Sequence, residues 1–311
     1  MSGIVQPSGS ADRELTIMVF KGVQNLPILA AQHLGFFAKR GLKIDVRIAP
    51  NSMELRDGLG AGRYQIVHTA VDNALAMVDH AGHDVAVAMG GDDAFNALYV
   101  QPDIESYDDL RGKTIIVDAL DTAYALMVYA MLARNGVQRG EYRVESIGAT
   151  YLRYEALLRR KDYKAGMLSA PYSTMGERAG LKRMDVAVDV IGPYQGTAGF
   201  VLKPWAEANK AVLVDYIRSY VEGVRWVLSG ENAKEAIRML AQANEVSEDI
   251  AAAAYDIATA AGSGIAEDAR LDREAFRNVL KLRAEFAGHG KPASPEKYLD
   301  LSYYDEALAG L

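Results

Sequence analysis

The chain has 311 residues, half of them hydrophobic, no cysteine and a formal net charge of −7. Without cysteine there are no disulfides, thiolate nucleophiles or thiolate-bound zinc, and the acidic balance offers no basic patch for a nucleic acid or an anionic membrane. No apolar run approaches the ~20 residues that span a bilayer, and the length suits two lobes better than one core.

Residues 1–14 lack the basic start and apolar middle of a secretory signal. Their Gly, Ser and Pro content reads as a disordered leader, so the chain is either cytoplasmic or has lost a signal. ELTIMVF reads as the first strand, and the loop KGVQN leads into a helix from Asn25 to Gly41. Pro27 falls in its first turn, Lys39 and Arg40 close its last, and Gly41 stands where a left-handed cap belongs. Leu26, Ala30, Leu34 and Phe37 form one apolar stripe, and KIDVRI then alternates as a strand. Asn51 and Glu54 bracket a capped start for MELRDGLGAG, and YQIVHT is the next strand. AVDNALAMVDH, DVAVAMG, the turn GGDDAFN and the short strand ALYVQ follow.

At Pro102 the pattern restarts. SYDDLRGKTIIVD, TAYALMVYAMLARNGV, YRVESI, YLRYEALLRR and KAGML give a second strand–helix–strand set, and after the strand TAGFVLK the remainder is helical. The expected fold is α/β with two lobes: residues 15–100 plus 201–311 as the first, with the helical tail packed on it, and 101–200 as the second. Crossings near Val100 and Phe200 would join them around a cleft.

Metal and nucleotide motifs are missing. HExxH, GxGxxG and GxxxxGK[ST] do not occur, Ser169 lacks the preceding glycine of a nucleophile elbow, and His80 and His83 have no evident third ligand. No catalytic residue, metal or cofactor is therefore expected. In open α/β sheets ligands sit beyond the carboxyl ends of strands, which nominates Gln24 and Asn25, then His68, Thr69 and Asp72. The same reasoning adds Asp92 and Asp93, then Asp118, Asp121 and Thr122, then Pro171 and Tyr172, and finally Tyr194. Local readings compete: Asn25, Asp121 and Thr122 are good N-cap types, Asp72 is a first-turn acid, and Pro171 is a helix-start residue.

NLPILAAQHLGFFAKRGLKIDVRI, LGAGRYQIVHTAVDNALA, DLRGKTIIVD, the SAPY turn and PASPEKYLDLSYYDEAL together resemble the nitrate/sulfonate/taurine and thiamine-pyrimidine branch of the type II periplasmic solute-binding proteins. The resemblance runs from about Leu15 to Tyr304. It implies a monomeric clamshell in the periplasm that closes over a small molecule and delivers it to an ABC permease, and it places the family's ligand-contacting loops on the nominated positions. One departure concerns charge: where oxyanion-binding relatives often carry a Ser/Thr/Gly-rich turn, this chain has VDALDTA. Its two carboxylates would repel an anion and favour a neutral or cationic nitrogen-containing ring such as an aminopyrimidine, with Tyr172 and Tyr194 stacking on it. The thiamine-pyrimidine synthase relatives are enzymes; His68 and Thr69 match their pattern, but Tyr64 replaces a lysine and their cysteines are absent. The expectation is a non-catalytic receptor, with an enzyme or cytoplasmic sensor on the same fold as the alternative.

Overall fold

The computed structural model describes residues 13–93, 96–288 and 290–311. Of the leader expected over 1–14, only Arg13 and Glu14 fall among the described residues, and they open the first strand. The strands are β1 (Arg13–Val19), β2 (Leu42–Ile48), β3 (Ile66–Ala70), β4 (Val85–Met89), β5 (Ala97–Val100), β6 (Thr114–Val117), β7 (Arg143–Ser146), β8 (Tyr163–Leu168), β9 (Lys182–Val186) and β10 (Thr197–Leu202). They form two five-stranded sheets, β2-β1-β3-β10-β4 and β7-β6-β8-β5-β9. β1, β2 and β3 run parallel, as do β6, β7 and β8, and the crossing strands β10 and β5 insert antiparallel.

The helices are α1 (Leu26–His33), α2 (Ser52–Gly60), α3 (Asp72–Asp79), α4 (Ala123–Arg134), α5 (Thr150–Arg159), α6 (Tyr172–Arg178) and α7 (Ala187–Ile191), then α8 (Lys203–Ala208), α9 (Lys210–Leu228), α10 (Ala233–Asn244), α11 (Glu248–Thr259), α12 (Arg273–Phe286) and α13 (Ser302–Leu308). The Asn51 carboxamide accepts from the Glu54 N–H at 2.8 Å and so caps α2.

Two expectations change. The helix from Asn25 to Gly41 is two pieces: α1 stops at His33, Gly35 takes a φ of 72°, and the Phe36 N–H closes on the Ala31 carbonyl at 2.9 Å. This is the six-to-one bond of a Schellman end, which a left-handed glycine permits. A short 3-10 turn, Ala38–Arg40, then carries the chain to Gly41, whose φ is 62°. The second change is the division between lobes. β5 hydrogen-bonds inside the second sheet and β10 inside the first, so the chain crosses between Met89 and Ala97 and again before Thr197, not at Val100 and Phe200. Strand pairing decides this, because each crossing strand fills a gap in the sheet it enters.

The core has a part under α1 and α9, where Leu26, Ala30, Tyr216, Tyr220 and Val224 are buried. Each large side chain there contributes roughly 1.5–3 kcal/mol. A second part is continuous from Leu55 and Leu75 of the first lobe to Leu126 and Met127 of the second, with Phe276 and Leu280 of α12 joining it. The helical tail therefore packs chiefly on the first lobe through α9, α10 and α13, while α12 also rests against α4.

Candidate functional site

The two crossings lie side by side and are tied through Asp92 and Gln195. The Asp92 carbonyl accepts from the Gly196 N–H at 3.0 Å and from Gln195 Nε2 at 3.2 Å. Gln195 is fully buried; its Nε2 also donates to the Thr197 carbonyl at 2.9 Å, and its Oε1 accepts from the Asp272 N–H at 2.9 Å. Every donor and acceptor of that carboxamide's inner edge is matched, which holds the crossings in one geometry. The Asp92 carboxylate accepts from the Thr197 N–H at 3.1 Å and from the Thr197 hydroxyl.

Against this junction lies a cavity between the lobes. Phe20 and Gln24 follow β1, Thr69 and Ala70 end β3, and Asp92, Asn96, Gly196 and Thr197 belong to the crossings; Ala123, Tyr124 and Met127 of α4 and Ser169 after β8 complete the wall. Its volume is about 30 Å³, close to the share of one water molecule. Among the described residues of that wall Asp92 is the one charged side chain. Phe20 and Tyr124 supply the aromatic surface. Tyr124 is backed by Arg153, whose guanidinium lies 4.7 Å from the ring centroid. Arg153 is itself buried and fully engaged: it donates to the Met167 carbonyl at 3.2 and 3.1 Å, to Thr150 Oγ1 at 3.0 Å and to the Gly148 carbonyl. Burial raises the Tyr124 hydroxyl above its ordinary range, opposed by the Arg153 charge.

Of the residues nominated from the sequence, Gln24, Thr69 and Asp92 stand in this wall. His68 does not. It is 3% exposed, stacks on Tyr220 with ring centroids 4.7 Å apart and 13° between planes, and neither ring nitrogen has a hydrogen-bond partner. Burial lowers its pKa to about 3, so the ring is neutral. Adjacent residues of a strand face opposite ways, so when Thr69 meets the cleft His68 meets α9.

Asn25 turns inward and donates to the Phe20 carbonyl at 2.7 Å, making no cap bond to α1. Asp72 is 1% exposed; its carboxylate accepts from Tyr194 Oη at 2.6 Å and from Arg283 Nη1 at 3.2 Å. Tyr194, 1% exposed and tied to this buried network, is not among the residues that line the cleft and so does not stack on a ring there. Burial raises the Asp72 carboxyl, against the pull of Arg283 and Tyr194. Asp93 enters a different groove with Tyr194, Arg270 and Asp272, and burial together with the Asp92 and Asp272 charges raises its carboxyl. Tyr172, 7% exposed, packs near Tyr151 and Tyr154, after the cis bond from Ala170 to Pro171.

The VDALDTA carboxylates have protein partners. Asp121 accepts from Arg56 Nη1 at 3.0 Å and Nη2 at 3.4 Å. Asp118 accepts from Ser52 Oγ at 3.4 Å and from the Thr122 hydroxyl. Thr122 is the N-cap residue of α4, yet its hydroxyl donates to Asp118 and the Ala119 carbonyl, and Asp121 caps nothing. Arg56 and Ser52 belong to the first lobe, so these acids bridge the lobes.

A family model described as NMT1/THI5 like matches residues 23–230, two thirds of the chain. The chain belongs to the NMT1/THI5-like family. No curated protein matches it in sequence. Solved structures give the fold shared by this NMT1/THI5-like chain. A protein from Bordetella bronchiseptica RB50 is 19% identical, with a TM-score of 0.82 over 96% of this chain and 97% of that one. The ligand-binding component of an ABC-type import system from Staphylococcus aureus, with zinc bound, is 13% identical with a TM-score of 0.80 over 95% and 99%. The periplasmic nitrate-binding protein NrtA from Synechocystis PCC 6803 is 12% identical with a TM-score of 0.80 over 96% and 89%. At these identities the likeness establishes the periplasmic-binding-protein fold.

Sequence reasoning missed Phe20, Asn96, Tyr124, Met127 and Thr197 as cleft residues and weighed Ser169 only as a nucleophile. Tyr124 carried a usable signal, since it sits in the first turn of the helix that follows β6.

Proposed function

We propose that this member of the NMT1/THI5-like family is a non-catalytic solute receptor. It captures a small neutral or cationic nitrogen-containing ring, such as an aminopyrimidine, between its lobes in the periplasm and hands it to an ABC permease. The observation that carries the ligand class is the cleft wall: among the described residues that line it, the charge is a single carboxylate, Asp92, 3% exposed. A buried carboxylate is stabilised by N–H donors and repels an anion. Phe20 and Tyr124 offer faces for a flat ring, and Gln24, Asn96 and Ser169 offer polar contacts to its edge. The charge that favours such a ligand is thus Asp92, not the VDALDTA acids, which Arg56, Ser52 and Thr122 occupy. The receptor reading over an enzyme reading rests on His68, the histidine matching the enzyme pattern, being packed under α9 with a depressed pKa.

The test is calorimetric titration with aminopyrimidines, nitrate, taurine and alkanesulfonates, followed by recovery of the bound compound. The aminopyrimidine class should bind, and Asp92→Asn should lose about 2–5 kcal/mol of affinity, as expected when one partner of a buried charged contact is removed. The compound should come back chemically unchanged. Tight binding of an anion that Asp92→Asn leaves unaltered or strengthens would refute the ligand class, and a turnover product would refute the receptor reading.

A further inference from the structure

A second cavity, of about 270 Å³, lies at the carboxyl end of α3, walled by Asp79, Arg283, Lys291, Lys297 and Tyr298 with Leu280 and Ala284 of α12. Its charge is opposite to the protein's. Among the described residues that line it three cations stand with one carboxylate, a balance of +2 in a chain whose net charge is −7. The one acid is already engaged, since Asp79 accepts from Lys297 Nζ at 2.6 Å and from Tyr298 Oη at 2.9 Å.

Arg283 is 2% exposed and only partly used. Its Nη1 donates to Asp72 Oδ1 and to the Asp121 carbonyl, both at 3.2 Å, whereas Nε and Nη2 are buried with no hydrogen-bond partner. Those two nitrogens form one edge of the planar guanidinium, with two N–H bonds nearly parallel, which matches two oxygens of a carboxylate or a phosphate. Buried charged donors without acceptors are costly to leave unmatched. The contrast with Arg153 is direct, because that equally buried arginine has each of its nitrogens satisfied by protein oxygens. Arg283 lines the cavity together with Asp79 and Tyr298.

We infer that this cavity is a binding site for a small oxyanion, a phosphate or a compact carboxylate. The Nε–Nη2 edge of Arg283 would be its fork, and Lys291 and Lys297 its flanking charges. It is separate from the interlobe cleft, whose wall shares none of these residues.

Inorganic phosphate and citrate, titrated by calorimetry into the full chain at ionic strength fixed with chloride, test the site. One of them should bind saturably with a stoichiometry of one. Lys291→Ala and Lys297→Ala should each weaken it by roughly tenfold or more. Arg283→Lys, which keeps the charge and removes the fork, should weaken it further; the lysine variants decide the matter if that protein does not fold. Lys113→Ala, an exposed charge removed from the other lobe, should leave binding unchanged. The proposal fails if neither anion saturates by about 10 mM, if binding survives both lysine substitutions, or if Lys113→Ala weakens it as much as they do.

Discussion

At His68 burial works against charge. The ring is enclosed by Tyr216 and Tyr220, with Gly199 opposite it in β10; a Cβ at Gly199 would come within 2.9 Å of His68 Cε1. Its folded-state pKa of about 3 lies below the usual value of 6.5. The unfolded chain therefore takes up a proton at this residue before the folded chain does. Neutral His68 contributes full stability above about pH 6.5, and that contribution is lost as pH falls toward 3. Between roughly pH 6 and pH 4 the loss should approach 1.4 kcal/mol per pH unit from this group alone. In urea melts His68→Leu should flatten that slope, at little cost at pH 8, because it also deletes two unsatisfied nitrogens. Equal slopes for the two proteins would show that His68 is protonated without penalty. The same residue explains how far the site was legible. Topology named the right loops, but which of two neighbours faces the cleft, His68 or Thr69, Asp92 or Asp93, depends on strand alternation and on what packs behind, and a single sequence leaves both open. Tyr194 reads as an exposed loop aromatic until the buried Asp72 and Arg283 pair claims its hydroxyl.

Among elements, α1 and α9 make the closest helix pair of the first lobe. Their crossing depends on Gly223, where a Cβ would stand 2.3 Å from the Pro27 carbonyl oxygen and 3.2 Å from Ala31 Cβ. The nearest atom is backbone, so no rotamer change can relieve the contact. An alanine gains about 1 kcal/mol in helix propensity over glycine, but parting packed helices typically costs 1–3 kcal/mol, and the second effect should win. Gly223→Ala should thus lower the urea midpoint, whereas Gly230→Ala, at a φ of 74° just beyond α9, should destabilise through backbone strain without touching α1. A Gly223→Ala protein as stable as wild type would mean the crossing is looser than it is drawn. Most elements were readable because their signals are local: Asn51 caps α2, Gly41 ends its turn in the left-handed region, and the apolar stripes are periodic. Which sheet takes β5 and β10 was not, since both are short buried runs whose partners lie far away in sequence.

For the whole molecule the controlling quantity is closure. The interlobe cavity holds about 30 Å³, too little for any ring, so on the receptor reading proposed above a ligand enters through a more open arrangement. Contacts that hold the lobes as they stand include the Arg56 fork on Asp121, Ser52 on Asp118, Arg283 on the Asp121 carbonyl, and Arg178 on Asp249. The Arg56 pair is the best placed of these. Partial burial pushes the Asp121 carboxyl up, yet the Arg56 hydrogen bond and charge hold it below its ordinary value. A partly exposed pair of this kind contributes up to about 1 kcal/mol, which shifts an open–closed ratio by roughly fivefold. Arg56→Ala and Asp121→Asn should then each raise the ligand-free radius of gyration in small-angle scattering, and saturating ligand should return both to the wild-type value. Both should weaken binding by the same modest factor, and the double variant by no more than either, because all three lose one shared contact. If Asp121 instead met the ligand directly, Asp121→Asn would cost about 2–5 kcal/mol of affinity while Arg56→Ala cost far less. Matched losses support a latch between lobes; unequal losses, or a radius of gyration that none of these changes moves, would overturn it.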